Sequence, residues 1–214
     1  MKRRTLWIVL IGVLCSGTLA IGGALIWMRS HLDTFVKTAI ETHGSAIIGA
    51  PVQVGAVHVD TAEGELTLRQ FVIHNPAGFH TPHLLRVDTL RVGVDLASVR
   101  ERLVLIRHID VIAPDVIWER GAHLSNIDTT ERNIAAYRTK HPPKVDLDVH
   151  FLIQKIVVRD AHVQAAVTLF PDQRLRAPLP NFTLHDLGKP PHGIAAGDVA
   201  HAFVEALRAQ LPHL

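Results

Sequence analysis

Fifteen histidines are the first residues in this chain that could do chemistry. His80 and His83 stand three apart around Pro82, a spacing that can serve a metal ion when cysteines or carboxylates complete the set. No paired carboxylate or cysteine lies near them, and the single cysteine, Cys15, is far away in sequence. Asp146 and Asp148 alternate with Val145, Leu147 and Val149, so both carboxylates fall on the polar face of an expected strand. Arg100-Glu101-Arg102, and Arg174 with Arg176, read as solvated or ion-paired edges. The chain contains no nucleophile elbow, phosphate-binding loop, dinucleotide fingerprint or zinc-protease helix motif. These residues predict no catalytic site, no metal and no cofactor, and they place the other histidines on turns and polar strand faces.

What must be positioned, then, is apolar surface. The 214 residues are 48% hydrophobic and 5% aromatic, too apolar for a disordered chain and long enough for one domain plus a membrane segment. Lys2, Arg3, Arg4 and Arg29 are the only charges in the first 29 residues; without them, 18 basic groups face 20 acidic ones. The pI near 8.9 is therefore largely a topology signal, and a nucleic-acid partner is not expected. One cysteine excludes a disulfide framework and a thiolate metal site.

Thr5 to Met28 carries no charge over 24 residues, enough to cross a bilayer of about 30 Å with some tilt. Lys2, Arg3 and Arg4 before it outnumber Arg29 after it, which predicts a cytoplasmic N-terminus. Trp7 and Trp27 fall near its two ends, where indoles favour the interface. A cleaved signal peptide is the rival reading, with Thr18-Leu19-Ala20 a passable cleavage site, but its apolar core spans only about 7–15 residues. Gly12, Ser16, Ala20 and Ala24 recur every fourth residue as a small-residue ridge that could pack against another membrane helix. The expected division is thus a cytoplasmic tail and anchor over 1–29 and an exported domain over 30–214.

Within that domain, Leu32, Phe35, Val36, Ala39, Ile40 and Ile47 share one face of a helix predicted over 31–48. Asp33, Lys37, Thr38 and Glu41 take the other face. From Val52 to about Leu187 apolar residues alternate in short runs: 52–59, 66–73, 85–96, 103–111, 116–118, 145–149, 153–158, 163–170 and 175–184. Turn chemistry separates many of these runs, as at Asn75-Pro76-Ala77-Gly78 and Ala113-Pro114-Asp115. The segment Ser125 to Glu131 is expected to lead into a short helical stretch ending near Lys140, and a final helix is expected over 194–211. One spacing recurs: Ile106, Ile109, Val111, Pro114 and Val116 are matched 47 residues later by Ile153, Ile156, Val158, Ala161 and Val163. A three-then-two step of this kind is what a β-bulge produces, bending its strand. The fold class is mainly β (α+β): a transmembrane helix, then a curved, largely antiparallel sheet with helices at both ends.

The order of these elements resembles the AsmA-like envelope family, relatives of TamB, in a short single-domain form. The resemblance is carried by the anchor and first helix, by Pro51-Val52-Gln53-Val54, and by the strand from Leu66 to Ile73 ending in Asn75-Pro76-Ala77-Gly78-Phe79. Leu90 to Ser98, Ile109 to Pro114, the Ser125-Asn126 loop and Leu187-Gly188-Lys189 before Gly193-Ile194 also match it. It implies a bacterial inner-membrane protein, single-pass, with its main domain in the periplasm and an apolar groove along the sheet. Larger relatives are linked to moving phospholipid toward the outer membrane or assisting its assembly. Here about ten strands at roughly 4.8 Å would span only about 48 Å, too little for one copy to bridge two membranes.

Two functions follow as expectations. In the first, the membrane-tethered groove shelters phospholipid acyl chains without chemistry, with Leu66, Leu68, Leu90, Val92, Val94, Leu103, Leu105 and Val111 as candidate lining residues. In the second, the domain is an accessory or assembly subunit that binds another membrane protein through the helix ridge and an open sheet edge. A C-terminal helix filling the concavity would favour the second.

Overall fold

The computed structural model describes residues 31–101, 103–142, 149–167 and 170–210. The apolar run Thr5–Met28, with Lys2, Arg3, Arg4 and the ridge Gly12, Ser16, Ala20 and Ala24, lies outside them. Among the described residues no helix is long and apolar enough to cross a membrane. The described chain is mixed α+β. Helix α1 covers residues 31–48. It leads into strands β1 (Val52–Asp60), β2 (Glu65–Ile73) and β3 (Leu85–Val94). A short 3-10 helix (Ser98–Glu101) precedes β4 (Leu103–Ile112) and β5 (Asp115–Arg120), and helix α2 (Asn126–Lys140) follows. Then come β6 (His150–Arg159), β7 (His162–Val167), β8 (Phe170–Pro178), β9 (Phe182–Leu187) and helix α3 (Ala196–Gln210).

Nine strands form one sheet, but its registers resolve them into six lines. Strands β4 and β5 run along the same edge of β3: Leu90 faces Val111, and five residues earlier Leu85 faces Val116. Strands β6 and β7 lie parallel to them, Ile106 beside Ile153 and Val116 beside Val163. The 47-residue spacing in the sequence is therefore the register of two parallel lines. Strands β9 and β8 close the far side antiparallel. All other neighbours are antiparallel, so the sheet is mixed, with one parallel seam made by the crossover through α2. At about 4.8 Å per step, the five steps between six lines span about 24 Å, well short of the width of a ten-stranded sheet.

The bulge reading of the three-then-two step holds between Ile106 and Ile109, where β4 carries one residue more than β3 (Val92 faces Ile109 and Val94 faces Ile106), and is corrected at the other steps. Val57, Leu68, Leu90, Val111, Val158 and Phe182 form one row of direct partners across the sheet. Val59, Leu66, Val92, Ile109, Ile156 and Leu184 form the next. Most neighbouring lines take the longer step together, so no extra residue opposes a partner there. At four of the longer steps a left-handed residue stands just before the next inward one. Gln70 (φ 53°), Ala113 (51°), Asp160 (55°) and Asp186 (52°) precede Phe71, Pro114, Ala161 and Leu187. Register shifts do occur between Gly93 and Val94 and between Ala165 and Val167.

The three helices pack on the apolar face, where Ile47 and Ile48 of α1, Ile127 and Ile134 of α2 and Val204 and Leu207 of α3 join the sheet's core residues. Helices α2 and α3 are antiparallel, linked by Arg138–Asp198 at 2.5 Å and by Arg208 to Asp128 and Glu131 at 3.2 and 2.6 Å. Helix α1 does more than pack. On its polar stripe Asp33, Glu41 and Ser45 accept from the backbone N–H groups of Val59, Val54 and Val52 at 2.8–2.9 Å. Lys37 donates to the Gly55 carbonyl at 3.2 Å. The stripe at every fourth residue thus occupies hydrogen-bonding groups along β1, an edge strand that would otherwise offer them to another chain.

Other boundaries move. Val145–Asp148 lie outside the described residues, and Val149 precedes β6, half of its side-chain surface exposed. The run 163–170 divides into β7 and the start of β8, and the run 175–184 divides at Leu179. The last helix begins at Ala196 because Ile194 pairs with Phe151 of β6, N–H to carbonyl in both directions at 2.8 and 2.9 Å.

Candidate functional site

A cavity of about 370 Å³ lies between the sheet and the helices. Its floor is built from inward rows of β2, β3, β4 and β6, including Phe71, Val87, Leu90, Val111 and Ile156. Ile40, Gly44, Ile47 and Ile48 of α1 form one wall; Ala196, Val199, Ala200, Phe203, Val204 and Leu207 of α3 form another. Ala200 carries no side chain beyond Cβ, and Gly44 lies against the Val52 side chain. The space is partly open to solvent rather than an enclosed void. The lining is apolar except for Thr130 of α2, whose hydroxyl is buried without a hydrogen-bond partner. Such a space suits hydrocarbon rather than water.

The structure sorts the predicted lining residues. Leu90 and Val111 border the cavity. Leu68, Val92 and Val111 are core, and Leu66, Leu90 and Val94 pack against it. Leu103 and Leu105 do not belong: Val104 and Ile106 join the core, so the residues alternating with them project to the other face. The α1 and α3 wall was missed, because helical spacing identified each apolar stripe but not where the two helices come to lie on the sheet. The apolar space beside the sheet is a partly open cavity walled by α1 and α3.

A second constellation is polar and buried. Glu119 of β5 accepts from the His80 and Thr81 backbone N–H groups at 3.0 and 2.8 Å and from the Thr81 hydroxyl at 2.7 Å. Asn126 donates to Asn75 and to the Ile117 carbonyl and accepts from the backbone of Glu119 and Ile127, all at 2.7–3.0 Å. Asn75 in turn donates to Thr81. Every group here is occupied by its neighbours, which makes the cluster a clamp between the turn after β2, β5 and α2. His80 contributes backbone, while the His83 imidazole lies 2.9 Å from Asp115. Among the described residues no group of three or more His, Cys, Asp or Glu is placed to hold a metal ion. Asp146 and Asp148, Arg102 and the side chains of Arg100, Glu101 and Arg174 lie outside what is described.

At the start of α2, Ser125 and Asp128 form a capping box. Burial pushes the Asp128 carboxyl up, but hydrogen bonds from the Ser125 hydroxyl and N–H, with Arg208 and Arg120 nearby, outweigh it and hold the group below the usual carboxylate range. Comparison with known protein families and with curated proteins gave no match.

Proposed function

We propose that this chain is a membrane-tethered, non-catalytic protein that shelters a phospholipid acyl chain in the cavity between α1, α3 and the sheet. The cavity is the observation that carries this reading: about 370 Å³ with an almost wholly apolar lining falls in the range of sites that bury small ligands, about 300–1,000 Å³. The resemblance to the AsmA-like family and the uncharged run Thr5–Met28 support a place at a bacterial inner membrane, with the domain on the periplasmic side. In that setting the protein takes a chain from the bilayer into an apolar space and gives it up again, in service of envelope or outer-membrane biogenesis. A sheet about 24 Å across serves one lipid at a time rather than a conduit.

The accessory-subunit reading is favoured by one observation, that α3 covers much of the apolar face. Its expected docking edge is no longer β1, which α1 occupies, so a partner would meet β8 and β9 or the helix ridge. Native mass spectrometry of the full chain in detergent, followed by lipid extraction, separates the two. Phospholipid retained near one per protein supports sheltering, and a lipid-free folded monomer supports the partner.

A further inference from the structure

We infer that the end of the domain where α1 begins is a second membrane contact, an apolar surface seated in the lipid head-group layer beside the anchor; this rests on the membrane tether of the proposed function and is independent of the cavity. Asp33 in the first turn of α1 accepts from the Val59 N–H at 2.9 Å, so α1 starts beside the C-terminal end of β1. Register carries that end across the sheet: Asp60 faces Glu65, Glu65 faces Gly93, Val94 faces Ile106 and Leu103 faces His150. Among the described residues five large apolar side chains are exposed: Phe35, Leu96, Val99, Ile112 and Val149. Four of them lie at this end. Phe35 is one turn into α1, Leu96 and Val99 occupy the connection from β3 to β4, and Val149 stands just before β6. Ile112 ends β4 at the opposite end of the sheet.

Exposed apolar residues scattered singly over a surface need no explanation, but these four are gathered where the chain leaves the membrane. The uncharged run ends at Met28, and His31 opens α1. Three Cα–Cα steps of 3.8 Å allow at most about 11 Å between them, and each head-group layer is about 5–8 Å thick. Phe35 lies only about 6 Å further along the helix axis. The first turn of α1 is thus held at the head-group layer, and the sheet end beside it faces the bilayer. The β3–β4 connection is pinned in a fixed turn that carries Leu96 and Val99. The Ser98 hydroxyl donates to the Asp95 carbonyl at 2.5 Å and accepts from the Leu105 N–H at 2.8 Å, while the Asp95 carboxylate accepts from the Ala97 N–H at 3.0 Å. Apolar side chains at this depth bury area at the acyl boundary without spanning the membrane. Charge does not drive the contact, because Asp60 and Glu63 stand at the same end. A second copy or another protein would have to enter the narrow space that the short tether leaves.

The test uses the full chain carrying Cys15→Ala and one of Val99→Cys, Val149→Cys or Ile112→Cys, labelled with a polarity-sensitive fluorophore in dioleoyl phosphatidylcholine vesicles. Ile112, an exposed apolar position at the far end, controls for any pull of the dye itself toward lipid. Spin-labelled phosphatidylcholine should quench the dye at 99 and 149 at least about twofold more than at 112. Leu96→Asp/Val99→Asp should bring quenching at 149 down to the level at 112; undiminished quenching in that variant overturns the inference. Equal quenching at 99, 149 and 112, in a chain that alkaline carbonate does not strip from the vesicles, overturns it and leaves the tether standing. A chain that carbonate strips overturns both. Quenching that needs anionic lipid and vanishes in high salt would make the contact electrostatic and overturn it. Blue-shifted emission at 99 and 149 without lipid quenching would mean that protein covers this end, and would also overturn it.

Discussion

The side-chain amide of Asn126 donates to the side-chain oxygen of Asn75 at 2.8 Å, tying the turn after β2 to the first residue of α2 across 51 positions. Asn126 is fully buried and also bonds to Ile117, Glu119 and Ile127. Removing a partner inside such a network leaves buried donors and acceptors unpaid by water. Asn126→Ala should cost about 3 kcal/mol, and Asn75→Ala about 2 kcal/mol. A double-mutant cycle read by urea denaturation should give a coupling of about 1 kcal/mol; additive losses would show that the two amides act separately.

The same pair shows what was legible in the sequence and what was not. Asn75 and the Ser125-Asn126 loop stood out as motifs, yet no periodicity says that side chains so far apart meet. The inward rows were readable because burial imposes one pattern on every line, and the 47-residue spacing turned out to be a register. The left-handed residues at the longer steps were not: Gln70, Ala113 and two aspartates share no residue type, and only Asp tolerates that conformation readily. That Glu41 and Asp33 bond to β1 was not legible either, because helical spacing says where a stripe points only relative to its own helix. The cavity was illegible for a further reason, since it depends on where α1 and α3 come to lie on the sheet.

Along β1, Glu41 guards the Val54 N–H. Glu41→Ala should raise the hydrogen-exchange rate at Val54 selectively and lower stability by about 1–2 kcal/mol. It should also promote self-association through the freed edge, seen by analytical ultracentrifugation. Unchanged exchange at Val54 would mean that the carboxylate bond is dispensable.

Thr130 keeps a hydroxyl without a partner in an apolar surround. Thr130→Val should stabilise the domain by about 1 kcal/mol by removing a buried, unpaired polar group of similar shape. A loss of stability would show that the hydroxyl finds a bond in solution.

Asp128 is held below its ordinary range, so its deprotonated form is favoured by folding. The stabilisation is complete above the unfolded value of about 3.9 and fades as pH falls through the lower, folded value. The stability difference between the natural chain and Asp128→Asn should therefore be constant near neutrality and close only below about pH 4. A difference that closes between pH 5 and 8 would assign the effect to another group.

Cavity occupancy is the central claim, and Ala200→Leu tests it most directly. The larger side chain enters the space bordered by Ala200 and Phe203 without touching the clamp or the β1 edge. Native mass spectrometry of the full chain should find phospholipid near one per protein in the natural sequence and at least about tenfold less in Ala200→Leu, with an equal or higher thermal midpoint. Undiminished lipid in a folded Ala200→Leu, or none in the natural chain, would contradict the account.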